Sequence, residues 1–535
     1  MKFLASRKLR IFLICWAVYT VHFATNVVRE HYPAFSLLED GDLELDEYMG
    51  FHPDIFWHQK TVPGPDGEEL LVEHAYVGNQ ITGSLPALIP LFVFSPVLDR
   101  LEARSKAKLA GSDETRPADF DSEYPNRVRF MRLVRDHGLE LRFGAATAIT
   151  SVFCMAPICA WLVALMYAFL RARGVDRRRA TGLAFLFAFA TPLFYRAAYL
   201  NHNVFLTVTV FLTFLLTATT RADAALPSWR LLGAGFCAGL GVALDYAGAI
   251  PLLVLYLGWL VRRWRVAGFG RAFGQSLFYV LGSIPPVAFL CWTQHAMYGD
   301  WFQPGQSHMP LVNYADQGWH GMTLPDPEII RDSLISWDYG MFSFAPLLAL
   351  ALLPLFFYRR EGRLLGSGQA RTIWALALAF LLFQAANQYS RMQFNTGFRY
   401  LMPLVPLLFV FVAEHLRRLP LFLVWLLGLA GALPVWVLAM VRFTANEDRH
   451  AVPECWRRFL HDGLQLPWLN TLRQSVTDPD HVVHWRAWPF LILAATGLKC
   501  WFLWRAGARH ELPEPTSAPE PIRPRPVEVV AEPDA

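Results

Sequence analysis

The chain has 535 residues, of which 54% are hydrophobic and only 17% charged. A soluble protein of this length carries more charge and fewer unbroken apolar runs, so a water-soluble enzyme is excluded. The formal net charge of +4 says little by itself, because the placement of the arginines matters more than their sum.

Taken in chain order, twelve apolar segments approach the roughly 20 residues needed to cross about 30 Å of hydrocarbon. They lie at about 11–29, 145–170, 180–200, 203–219, 231–247, 248–262, 275–296, 340–358, 372–390, 400–414, 419–441 and 488–504. The expected fold is an all-α polytopic membrane protein of about twelve transmembrane helices. The first segment resembles a signal peptide, but its apolar core is too long and no small-residue cleavage site follows, so a retained helix is expected. Segment 81–98, "ITGSLPALIPLFVFSPVL", is the ambiguous one. With that segment left out, "RARGVDRRR", "TRADAALPSWR", "VRRWRVAGFGR", "YRREGRLLGSGQAR", "EHLRR" and "WRAGAR" all fall on the side of the basic N-terminus. This is the cytoplasmic side by the positive-inside bias. Segment 81–98 then reads as an interfacial or re-entrant helix broken by Pro86, Pro90 and Pro96. The basic stretch 100–142 is left outside, which long loops tolerate. The resulting organisation is a cytoplasmic N-terminus at 1–10 and a transmembrane domain at 11–510. Extracytoplasmic loops run at about 30–144, 297–339 and 442–487, and a Pro/Glu-rich cytoplasmic tail at 511–535 is expected to be disordered. The localisation implied is a multi-pass plasma (inner) membrane protein with both termini cytoplasmic.

The seven cysteines form no CxxC pair and give no disulfide or redox framework. The unusual polar residues collect at the outer ends of the spans instead. The first loop, "TNVVREHYPAFSLLEDGDLELDEYMGFHPDIF", supplies Arg29, Glu30, His31, Asp46 and Asp54. "YRAAYLNHN" brings Arg196 and His202, "LDYAGAIP" brings Asp245 and Tyr246, and "YGDWFQPGQSHMP" brings His308. "NQYSRMQFNTGFRYLMP" brings Arg391 and Arg399, on either side of an aromatic, amide-rich turn. Ionisable groups at membrane depth are costly and usually line a polar cavity. The combination suits transfer of a sugar from a lipid-linked phosphate. A fixed cation holds the leaving phosphate, and Arg does so bidentately. A carboxylate accepts the proton of the acceptor hydroxyl. The candidate bases are Glu30, Asp46 and Asp54, and the candidate phosphate ligands are Arg399, Arg391 and His202. Arg29, His31, Asp245, Tyr246 and His308 are expected to line the substrate pocket. The histidine spacings suggest a metal only weakly, no i,i+4 His/acid pair supports a tight site, and no cofactor is expected, a divalent metal being left open but unsupported.

"SLLEDGDLELD", "ATPLFYRAAYLNHNVF", "LDYAGAIPLLVLYLGWLVRR", "YGDWFQPGQSH", "WDYGMFSFAPLLALALLPL" and "GFRYLMPLVPLL" follow one another through residues 11–415. In that order they resemble the multi-spanning GT-C glycosyltransferases. That superfamily includes the polyprenyl- or dolichyl-phosphate-mannose protein mannosyltransferases and the aminoarabinose transferases. The resemblance implies an inverting transferase acting at the extracytoplasmic face, with a lipid-linked sugar donor and a glycan, lipid or protein acceptor. An acid in the first outer loop, often an Asp followed by Glu, would serve as base. This chain has Asn26-Val27 where that pair would stand, and Glu30 is the nearest acid. Four residues on a helix is close to one turn, which would put Glu30 on the same face. The competing readings are a secondary transporter or lipid flippase, built from two related halves with broken helices meeting at mid-membrane, and a non-catalytic relative of the transferases. Pro251 and Pro285-Pro286 are the candidate breaks.

Overall fold

The computed structural model describes residues 6–66, 68–111, 125–218, 226–310, 314, 316–319, 321–356, 363–391, 398–442, 448–475 and 487–509. The tail expected at 511–535, and the 392–397 turn between Arg391 and Arg399, lie outside the described residues.

The chain is predominantly helical. Among the described residues, five helices are long and apolar enough to cross a membrane: Glu140–Ala172, Phe269–Tyr298, Ser367–Ala386, Leu421–Val441 and Ala487–Ala508. The first of these joins α5 (Glu140–Thr150) to α6 (Ala156–Ala172) through a π-helical turn at Ser151–Met155. The other four are α12, α16, α18 and α21. Shorter apolar helices fill the spaces between them. These include α7 (Arg177–Phe189), α9 (His202–Thr217), α10 (Ser228–Leu244), α11 (Ala249–Ala267) and α17 (Val405–Leu416). The expected span at 340–358 is broken into α14 (Met341–Phe344), a 3-10 stretch at Pro346–Leu352 and α15 (Leu353–Phe356). By contrast α12 runs unbroken through Pro285 and Pro286. Pro251 sits in the first turn of α11, where a missing N–H costs nothing.

Three expectations are corrected between residues 7 and 110. The first helix, α1, covers only Arg7–Val21 and stops well short of residue 29. His22 Nδ1 turns back to the Val18 carbonyl at 2.8 Å, and the chain then pairs through Ala24 N–H to the Ala198 carbonyl at 2.8 Å. A tertiary partner for the backbone ends the helix where the local apolar sequence would have continued it. The second correction is an antiparallel hairpin in the loop that follows, β1 (Ile55–Pro63) and β2 (Glu69–Val77), with Ile55 opposite Val77 and Pro63 opposite Glu69. Its β-branched and aromatic residues flank a Pro-Gly-Pro-Asp turn, which is strand chemistry inside an otherwise helical chain. Third, α3 (Leu85–Ala110) is one continuous helix despite its prolines. Pro86 lies in the first turn. Pro96 cannot donate to the Phe92 carbonyl, and the Ser95 hydroxyl donates to it instead at 3.0 Å.

The two ends of the helical body differ. At one end basic residues meet backbone carbonyls and a carboxylate. Arg173 donates to the Leu364 carbonyl at 2.8 Å, Arg10 to the Trp504 carbonyl at 3.2 Å, and Glu414 binds Arg417 at 2.9 Å. At the other end α2 (His31–Glu39), the β1–β2 hairpin and the Ile81–Gly83 turn come together near His202 at the start of α9, while α3 packs along α5. Small residues in the body allow close helix approach: α10 lies against α12 with backbone touching backbone. A Cβ on Gly235 would sit 1.8 Å from the Tyr279 carbonyl oxygen, and one on Gly282 2.1 Å from that of Leu232. Small residues are what let helices associate when lipid removes the hydrophobic drive between them. Gly235→Val should therefore force α10 and α12 apart and lower stability by about 2 kcal/mol or more. The check is the unfolding midpoint of the detergent-solubilised protein; an unchanged midpoint contradicts the packing described.

Candidate functional site

The site begins where α1 gives way to α2. Glu30 precedes α2 in a helical backbone conformation, φ −67° and ψ −15°, and its side chain caps nothing. Its Oε1 instead accepts from His202 Nδ1 at 2.6 Å. His202 opens α9 because Asn201 caps that helix. Asn201 Oδ1 accepts from Val204 N–H at 3.1 Å, while Asn201 Nδ2 donates to the Arg196 and Tyr199 carbonyls. The other imidazole nitrogen, Nε2, stands 3.5 Å from Asp245 Oδ2. Asp245 follows α10 with extended backbone and caps the next turn, accepting from Ala247 N–H at 2.9 Å. With a carboxylate at each ring nitrogen, His202 donates both hydrogen bonds only as the imidazolium.

Arg29 ties this trio to the hairpin. Its Nη1 donates to Asp54 Oδ2 at 2.9 Å and its Nε lies 3.6 Å from Glu30 Oε1. Its Nη2 is 3.2 and 3.4 Å from the two ring nitrogens of His202, so it rests against the imidazole as a whole. Asp54 stands at the entry to β1. Its Oδ2 also accepts from Asn79 Nδ2 at 3.1 Å, and Asn79 Oδ1 accepts from Gln306 Nε2 at 3.0 Å. The Asp54 N–H donates to His52 Nδ1 at 3.1 Å. The hairpin thus holds the carboxylate from β1, from the end of β2, and through the loop after α12. Gly83 permits the close approach of these parts: a Cβ there would meet His202 Cβ at 2.9 Å and Glu30 Cγ at 3.3 Å.

Burial alone would raise the Glu30 carboxyl, but the Arg29 charge and the His202 hydrogen bond hold it well below the usual carboxylate range. Asp54 follows the same pattern. Burial opposes ionisation, and Arg29 and His52, with a further contribution from Arg399, lower it on balance. His52 is shifted down, chiefly by burial. Burial also brings His31 to about 4; its Nε2 lies 3.0 Å from Thr150 Oγ1, and it supports the site from behind.

Arg29, Glu30, Asp54, His202 and Asp245, named from the sequence as separate candidates, therefore form one cluster. Arg399 is close enough for its charge to act on both Asp54 and His52, and its guanidinium covers the Tyr400 ring at 4.7 Å. Tyr246 adjoins Asp245 and its hydroxyl accepts from Gln294 at 2.5 Å. Three candidates lie elsewhere. Asp46 serves the hairpin, accepting from Ala75 N–H at 2.6 Å and facing His74 at 3.0 Å. Arg391 pairs with Asp326 at 2.5 Å and Glu328 at 3.3 Å, clamping α13 (Pro327–Ile335). His308 stacks on Tyr298 at 4.9 Å and approaches His58 at 4.6 Å, in the loop that supplies Gln306.

Asn79, Gln306 and Gly83 carry no signal in the sequence, since an amide or a glycine in a loop looks the same whether or not it faces a site. The carboxylates of Glu39, Asp40 and Glu47 come within 4.8 Å of one another. They are exposed, and Glu39 is engaged by Arg142 and Tyr48, so they make no argument for a metal. Comparison with family models, with curated proteins and with solved structures returns no match.

The arrangement offers ionised carboxylates, an imidazole and fixed cations in one place, which suits proton transfer beside a bound anion. Because Glu30 and Asp54 are depressed in the folded state, their contribution to stability is complete above the unfolded carboxylate range, about pH 4, and is lost as pH falls through the folded values. Arg29→Gln strands the buried carboxylates. It should cost about 3 kcal/mol at neutral pH and weaken the acid-dependent loss. Unfolding midpoints of both proteins between neutral and acidic pH decide this; parallel curves with the same midpoint at neutral pH rule it out.

Proposed function

We propose that the protein is a membrane glycosyltransferase that moves a sugar, with inversion, from a polyprenyl-phosphate donor to an acceptor hydroxyl at the extracytoplasmic face. The reading places twelve spans across the membrane with both termini cytoplasmic. In support, Arg10, Arg173 and Arg417 lie at one end of the helical body and the charged cluster at the other. The single observation that carries the proposal is a carboxylate, Asp54, bound by Arg29 and under the influence of Arg399, at the ends of apolar helices.

Asp54 is the better proton acceptor of the two clustered first-loop acids. Its side chain is 23% exposed against 7% for Glu30, and Glu30 Oε1 is already committed to His202. In the reaction Asp54 takes the proton of the acceptor hydroxyl as the hydroxyl oxygen attacks the anomeric carbon. The bond from that carbon to the phosphate oxygen breaks on the opposite side, and its electron pair leaves with the lipid phosphate. Arg399 meets the charge that develops there. Arg29 orients Asp54, while Glu30 and Asp245 orient His202 beside the acceptor. An ionised carboxylate of low pKa is a weak base, which suits a hydroxyl that loses its proton only as the glycosidic bond forms.

Asp54→Asn should lower transfer from a polyprenyl-phosphate sugar by about a thousandfold while keeping most of the stability, because the amide oxygen still accepts from Arg29. Arg399→Gln should raise the KM for the donor more than it lowers kcat. The assay uses radiolabelled lipid-linked sugars with purified protein in vesicles. An active Asp54→Asn variant, or a folded wild-type protein that transfers from none of a broad donor panel, overturns the proposal.

A further inference from the structure

One outward face of α3 changes character partway along its length. Ile89, Phe92, Val93 and Val97 lie on it, with Ile89 and Phe92 75% and 69% exposed. At steps of three and four residues the same stripe continues as Arg100, Arg104 and Lys108, all exposed. The opposite face is committed to the body. Leu91 and Leu98 are buried, Phe94 stacks on Phe153 at 5.1 Å, and Glu102 binds both Arg142 and Lys106. Arg100, Arg104 and Lys108 make no ion pair with a described residue, although Asp99 shares their end of the helix.

We infer that this stripe is a binding surface for the phosphates of anionic phospholipids, with hydrocarbon ending near Val97 and the headgroups meeting Arg100, Arg104 and Lys108. The Phe94–Phe153 stack sets the depth, since Phe153 belongs to the π turn where α5 passes into the apolar α6. At 1.5 Å per residue Arg100 lies about 4.5 Å beyond Val97 and Arg104 about 10 Å. That range matches the interfacial layer outside the hydrocarbon, and the lysine at 108 can reach back toward it. Four exposed apolar side chains followed on one face by three exposed cations form a surface complementary to a lipid's tail and charged head together. A soluble polyanion would use only the second half. The inference is independent of glycosyl transfer and needs only that α3 meets a bilayer.

The test is electron spin resonance of spin-labelled phosphatidylglycerol and phosphatidylcholine, with the full chain reconstituted in vesicles of equal parts of the two lipids. The wild-type protein should hold the phosphatidylglycerol label at least about threefold more strongly than the phosphatidylcholine label. The combined Arg100→Gln, Arg104→Gln and Lys108→Gln variant should bring that ratio close to one without changing the phosphatidylcholine signal. An Arg100→Lys, Arg104→Lys variant should keep the preference. No preference in the wild type, a preference that survives the glutamine variant, or its equal loss in the lysine variant overturns the inference.

Discussion

A guanidinium taken out of water requires counter-charges within reach, and the structure is arranged to supply them to Arg29. Glu30 comes from the next position in the chain and Asp54 from the hairpin, while His202 from α9 brings Asp245 with it. Segments separated by more than two hundred residues are held at one point by a few charges. Removing Arg29 would leave the buried carboxylates around it without compensation, which is among the most costly defects a fold can contain.

That constraint accounts for features that look unrelated along the chain. α1 stops at Val21, so that the following residues pair with Ala198 and deliver Arg29 and Glu30 beside the start of α9. Asn201 and Asp245 are caps with second tasks: each secures a helix or turn start and so fixes the imidazole on one side or faces it on the other. The hairpin closes the site from above, and Tyr298 secures its last strand by donating to the Val77 carbonyl. Gly83 leaves the space in which Glu30 and His202 approach each other.

The cluster also shows that local spacing does not give the route by which an acid reaches the site. The four-residue spacing of Asn26 and Glu30 suggested one turn of a continuous helix, yet residues 23–28 are not helical. Glu30 arrives through a break and a fresh helix start. Having arrived, it is drawn to His202, which leaves Asp54 as the more open carboxylate. The position of an acid along the chain and its chemical role are therefore separate matters.

Composition and the spacing of apolar runs determined that the chain is helical and suited to a membrane, because hydrocarbon demands length and apolarity that few other structures need. The apolar runs anticipated the five helices among the described residues that are long enough to cross a membrane, and the rarity of ionisable residues near apolar ends picked out Arg29, Glu30, Asp54, His202 and Asp245. Prolines misled in α3, where a neighbouring serine hydroxyl replaces the lost hydrogen bond, and so did the apolar stretch after Val21, whose backbone found a distant partner. Only the tertiary structure decided which candidates meet. Asp46 and Arg391 looked equivalent to Asp54 and Arg399, but the first two serve a hairpin and a short helix. Residue type sets what a side chain is able to do, whereas contact is decided by the path of the chain between helices, which local sequence does not encode.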